Sequence, residues 1–105
     1  MNSSAPNETE STPQEGIAYD PSGPHPDYPK LVRFLVEPLL DTPEKLVVRV
    51  ESTRGGAKIL IRLAFDSSDK GKVFGRGGRT IQAVRRVLEA AGQSHGQEVR
   101  LQVFE

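Results

Sequence analysis

The sequence predicts an α+β domain, a three-stranded sheet with helices on one face. Three observations carry this expectation. Residues from Leu46 to Thr53 and from Ala57 to Phe65 alternate apolar and polar, with Arg54-Gly55-Gly56 between them, the pattern of two half-buried strands and a hairpin turn. Arg79 to about Ala91 repeats its apolar residues at helical spacing. A last alternating stretch, Glu98 to Phe104, follows that helix, so the third strand returns by a long helical crossover and can pair in parallel. A chain of 105 residues allows one domain.

In order, residues 1–27 are rich in Ser, Thr, Pro, Asn and Glu and show no apolar periodicity. Such a segment cannot bury enough surface to offset its ordering entropy, and it is expected to be a disordered acidic tail. The domain is expected over residues 28–105. Asp27 can cap the first helix and Pro29 suits its first turn. Leu31, Phe34, Leu35 and Leu39 are expected to form its apolar face, with Pro38 kinking or ending it. Asp41-Thr42-Pro43 forces a turn. Leu46, Val48 and Val50 of the first strand face the core, as do Ile59, Ile61, Leu63 and Phe65 of the second. Asp66-Ser67-Ser68-Asp69 breaks the chain and can cap a short helix, Asp69 to Phe74, with Val73 and Phe74 inward. The long helix carries Ile81, Val84, Leu88 and Ala91 as its stripe, and Gly92 is expected to stop it. Gln93 to Gln97 is a polar loop.

Charge is informative once the chain is divided. Residues 1–27 hold five acids and no Lys or Arg, whereas the other 78 hold all 14 basic residues and nine acids, so a leader of −5 precedes a domain of +5. A basic domain suits a polyanion, and the leader's charge can compete for the same face. The absence of cysteine excludes disulfides and thiolate metal sites. His25 and His95 are far apart in sequence, and the carboxylates are scattered, so no cofactor, metal or enzymatic activity is expected. No signal-peptide pattern or bilayer-length apolar run occurs, which predicts a soluble cytoplasmic protein without membrane attachment.

The stretch Val73-Phe74-Gly75-Arg76-Gly77-Gly78-Arg79-Thr80 places three glycines between two helices. A nucleotide-triphosphate loop would need Gly at 73 and Lys at 79, and a dinucleotide fingerprint would need Gly at 80 after a strand. Neither fits. What remains is G-x-x-G between helices, a clamp for about four nucleotides of single-stranded nucleic acid. A tight helix–helix turn is the alternative reading. The start of the second helix offers unpaired N–H groups, and Arg76 and Arg79 offer guanidinium groups suited to phosphate.

The order helix, strand, strand, helix, glycine loop, helix, strand resembles a type II KH domain, and more narrowly the small bacterial single-KH proteins of the KhpA family. The resemblance rests on Leu31 to Leu39 with Asp41 and Pro43, on Asp69 to Arg79, and on Ile81 to Ala91. It implies single-stranded RNA binding, as an RNA chaperone or post-transcriptional regulator. It also implies a homodimer or a heterodimer with a KhpB-type KH protein, and in some bacteria a link to cell length and cell-wall homeostasis. Carried onto this sequence, Gly75 and Gly78 would shape the loop that passes the RNA backbone, Arg76 would contact phosphate and Gly77 would leave room for it. Lys72 and Arg79 would add charge at the rim, and Val73 and Ile81 would form an apolar floor under the bases. Phe74 stands where an aliphatic residue is usual. A protein-interaction module that uses the same scaffold without RNA is the alternative function.

Overall fold

The computed structural model describes residues 17–18, 23 and 25–104. Its elements are β1 (Ile17–Ala18), α1 (Tyr28–Val36), β2 (Val47–Thr53), β3 (Lys58–Ala64), α2 (Lys70–Phe74), α3 (Arg79–Gln93) and β4 (Glu98–Phe104). β2 and β3 form an antiparallel hairpin, from Val47 opposite Ala64 to Thr53 opposite Lys58. β4 lies parallel to β3, from Glu98 beside Lys58 to Phe104 beside Ala64. This is the expected three-stranded mixed sheet. The two residues of β1 extend it by pairing antiparallel with Glu51 and Ser52 on the β2 edge. Most of the acidic leader, for which disorder is expected, lies outside the described residues.

The hairpin turns where the sequence places it, with Arg54, Gly55 and Gly56 all at positive φ. Leu46, Ile59, Ile61, Leu63 and Phe65 are buried, as their alternation requires, with Val99 and Leu101 beside them. α1 packs against β2 and α3, and α3 against β4. Fully burying one such Val, Leu or Ile contributes about 1.5–3 kcal/mol relative to exposure, so this single apolar layer is the main source of stability.

Three local expectations are corrected. The buried face of α1 is Tyr28, Val32 and Val36, with Leu31 and Leu35 half-buried beside it, while Phe34 is 76% exposed. At about 100° per residue, Phe34 lies some 200° round the helix from Val32. The i, i+4 repeat of Tyr28, Val32 and Val36 sets the face instead. The first turn is capped as expected, Asp27 accepting from the Lys30 N–H at 3.1 Å, and α1 ends before Pro38.

The second correction concerns Gly92, which does not stop α3 but lies buried within it. A Cβ there would stand 2.4 Å from Val99 Cγ2 and 2.8 Å from the Gln97 carbonyl oxygen. Glycine is needed for close approach, and the positive φ that follows the helix falls on Gly96. The third concerns Asp69. Its side chain does not cap α2, whereas Asp66 accepts from the Ser68 N–H at 3.1 Å.

The α3–β4 loop is tied to two other regions through Gln97. Tyr28 donates its hydroxyl hydrogen to Gln97 Oε1, and Gln97 Nε2 donates to the Gly56 carbonyl at 2.8 Å. The start of α1, the hairpin and the entry to β4 are thereby fastened at one end of the domain. α3 runs away from them, so its N-terminus and the glycine loop stand at the other end.

Among the described residues no helix is long and apolar enough to cross a membrane.

Candidate nucleic-acid interface

α2 closes on the Gly75 N–H, which donates to the Gly71 carbonyl at 2.9 Å. Gly75 then takes φ 74°, ψ 174°, a region open essentially to glycine alone. A Cβ here would also sit 2.2 Å from Thr80 Oγ1. Gly77 takes φ 62°, ψ 20°, and a Cβ at Gly77 or Gly78 would meet nothing within 4 Å. The two ends of the loop therefore differ. Gly75 is pressed against the first turn of α3, while Gly77 and Gly78 form a bare tip facing open space. The tip is closed by the Gly78 N–H on the Gly75 carbonyl at 3.1 Å. α3 begins at once, without a side-chain cap from Gly78, so its first-turn N–H groups and positive dipole end face the tip.

Arg76 and Arg79 are exposed on this loop. Among the described residues no carboxylate stands within ion-pair distance of either. Lys72 differs, because its ammonium donates to Asp41 in a hydrogen-bonded ion pair. That hydrogen bond, with the charges of Asp41 and Asp69, holds Lys72 above its ordinary pKa. Lys72, Gly75, Arg76, Gly77, Gly78 and Arg79 thus come together on one continuous turn. Val73 and Ile81 do not join them at the surface. Both side chains are sealed in the core, at 0% and 2% exposure, and in this conformation offer no floor to a base. Their place is beneath the loop, where they hold its two helices together. Phe74 is half-buried beside them.

Two features of the region were not read from the sequence. The Asp69 carboxylate is completely buried and accepts the N–H groups of Asp41 at 3.0 Å and Thr42 at 3.2 Å. It pins the turn after α1 to the start of α2, across 28 residues of sequence. No local pattern announces such a contact. Next, a groove of about 390 Å³ opens between α3 and β4, lined by Arg85, Glu89, Gln93, Glu98 and Arg100 with Leu101. β4 is the edge strand, so its outer backbone groups have no strand neighbour among the described residues. Arg85 lies six residues along α3 from Arg79, about 9 Å by helical rise. Arg100 arrives from the strand, and only the tertiary pairing brings the two together.

His95 lies in the exposed loop after α3, with Nδ1 3.2 Å from the Ala91 carbonyl oxygen. His25 stacks on Tyr28, with ring centroids 6.1 Å apart. No group of three or more His, Cys, Asp or Glu residues that could hold a metal occurs among the described residues.

This architecture and loop agree with what the chain is similar to. Residues 29–103 match the KhpA/KhpB KH-domain family. The chain is 38% identical over 76 residues to the RNA-binding protein KhpA of Bacillus subtilis, covering 71% of this chain and 90% of that protein. It is 35% identical over 75 residues to RNA-binding protein KhpA of Aquifex aeolicus, covering 71% and 92%. The protein of the same name from Listeria monocytogenes is 32% identical over 76 residues, covering 72% and 97%. With the matched region running from the first turn of α1 to β4, the chain belongs to the KhpA/KhpB family of KH domains.

Proposed function

We propose that the protein binds single-stranded RNA, with the phosphate backbone passing over Gly75-Arg76-Gly77-Gly78 and the bases directed into the groove between α3 and the edge of β4. The observation that carries this reading is the bare tip at Gly77 and Gly78, flanked by two arginines without carboxylate partners among the described residues. A phosphate can approach the tip without meeting a side chain, and Arg76, Arg79 and the α3 N-terminus all favour negative charge there. The outer edge of β4 can hydrogen-bond base edges, and Arg85 and Arg100 extend the positive surface. The relatives' name, RNA-binding protein KhpA, supports the same ligand. The family is one of RNA-binding KH proteins and not of enzymes.

Lys72, Arg76 and Arg79 supply three phosphate contacts. At a salt slope of about −0.7 per phosphate for single strands, affinity should fall roughly 20-fold between 50 and 200 mM salt. One small domain then binds weakly, and pairing with a second copy or with a KhpB-type protein raises affinity through effective concentration. On this reading the protein is a dimeric RNA chaperone or post-transcriptional regulator acting in the cytoplasm.

The test is fluorescence anisotropy with short single-stranded RNA at both salt concentrations, comparing the natural chain with Arg76→Asp plus Gly77→Asp. Asp tolerates the left-handed backbone at 77, so the fold should survive, as circular dichroism would verify. Loss of binding by the folded double variant supports the clamp. Equal binding by both overturns it and favours the protein-interaction reading. A monomeric mass at micromolar concentration, with tight RNA binding intact, overturns the dimer.

A further inference from the structure

We infer that Asp41 is a built-in brake on RNA affinity, an internal anion that occupies Lys72 until a phosphate displaces it. The inference rests on the reading of the glycine loop as the RNA clamp.

Asp41 is not a casual neighbour of Lys72. Its backbone N–H and that of Thr42 are held by the two oxygens of Asp69, which is fully buried at the start of α2. Lys72 lies three residues beyond Asp69, on the same helical turn. One buried carboxylate thus fixes the turn that carries Asp41 against the helix that carries Lys72, and the Asp41 carboxylate meets the ammonium. The raised pKa of Lys72 has this contact as its first cause.

Lys72 also lies three residues before Gly75, at the rim of the loop. RNA arriving at the tip meets Arg76 and Arg79 unneutralised, whereas Lys72 is already matched by a negative charge. Its side chain is 52% exposed and that of Asp41 is 73% exposed. An ion pair in water contributes little, so a phosphate can replace the Asp41 carboxylate without a large penalty. Asp41 then remains nearby as an unpaired anion that repels the backbone it has yielded to. The device keeps binding weaker, and exchange faster, than the cations alone would give. Its position is fixed by the fold through Asp69.

The test compares the natural chain, Asp41→Asn, Lys72→Gln and the double variant, each titrated with one short fluorescein-labelled single-stranded RNA over a range of salt. Asn keeps the shape of Asp41 and leaves the backbone bond to Asp69 in place. Asp41→Asn is expected to tighten binding about two- to fivefold at low salt, the scale of an exposed ion pair. Its salt slope should steepen by up to about 0.7 as Lys72 gains a full phosphate contact. On the Lys72→Gln background the same change should have no effect. An equal gain on that background shows only the general field of a removed charge and overturns the brake. Unchanged or weaker binding by folded Asp41→Asn overturns it too. Arg76→Asp in the same series separates this idea from its premise. If Arg76→Asp binds normally, the clamp fails and the brake with it. If Arg76→Asp loses binding while Asp41→Asn gains nothing, the brake alone fails.

Discussion

Gly75 and Gly77 belong to the same short loop, yet replacing each by Ala should have very different consequences. At Gly75 the added methyl would stand 2.2 Å from Thr80 Oγ1, 2.8 Å from Thr80 Cβ and 3.0 Å from the Thr80 nitrogen. Rotation of Thr80 can remove the first of these contacts but not the other two. The backbone adds its own penalty, since φ 74°, ψ 174° is costly for any residue with a Cβ, by about 1–3 kcal/mol. Overpacking contributes a further 1–3 kcal/mol or so, which gives a loss of about 3–4 kcal/mol. At Gly77 a Cβ meets nothing within 4 Å, and only the left-handed conformation is charged, at about 1–2 kcal/mol. A domain of this size is worth only about 4–12 kcal/mol in total. Gly75→Ala should therefore remove a large part of the stability and Gly77→Ala a small part. Urea unfolding followed by far-ultraviolet circular dichroism reads the difference as a shift of midpoint at constant slope. Adding Thr80→Ala to Gly75→Ala should recover part of the loss but not all of it. Equal losses at the two glycines, or a Gly75→Ala variant as stable as the natural chain, would refute the distinction between a pressed and a bare end of the loop.

Gly92→Ala sets helix propensity against packing. Ala gains about 1 kcal/mol in a helix, but the Gln97 carbonyl and Val99 leave no room for it. A net loss of about 1 kcal/mol in chemical denaturation is expected, and a gain would show that the α3–β4 junction is loose. Asp69→Asn leaves the N–H of Asp41 or Thr42 facing an amide NH2, so a loss of about 2–3 kcal/mol is expected. A neutral result by the same assay would mean that water enters the site. Tyr28→Phe deletes the donor to Gln97 at the opposite end of the domain and should cost about 1 kcal/mol, with RNA affinity unaltered in the anisotropy assay. Asp66 supplies a pH prediction. The bonds it accepts from the Ser68 hydroxyl and N–H, aided by Lys45, hold its carboxyl below the ordinary 3.8. A depressed folded-state pKa contributes stability above the unfolded value and loses it as pH falls through the folded one. The melting-temperature gap between the natural chain and Asp66→Asn should thus be present at neutral pH and close below pH 3.8, and a gap that persists into strong acid would contradict the cap.

The sequence by itself determined the element order, the hairpin and the glycine loop with its arginines. Each is a local matter. Alternation puts Ile59, Ile61 and Leu63 on one face of a strand because the pleat repeats every two residues, and Gly75 and Gly77 mark backbone angles that few other residues adopt. The short α1 was read less well. Leu31, Phe34 and Leu35 make a plausible stripe over so few turns, and only the sheet and α3 beneath it decided that Tyr28, Val32 and Val36 face inward. The same holds for Gly92, whose need for a missing Cβ arises from Val99 and Gln97 and not from its own helix. Around the candidate site, the local sequence marked the loop and its cations, whereas tertiary structure decided what each can reach. It buried Val73 and Ile81, paired Lys72 with Asp41 through Asp69, and brought Arg100 across to Arg85. The reason is physical: backbone preference and side-chain period act over a few residues, whereas burial and ion pairing depend on groups that meet only after the sheet has closed under its helices.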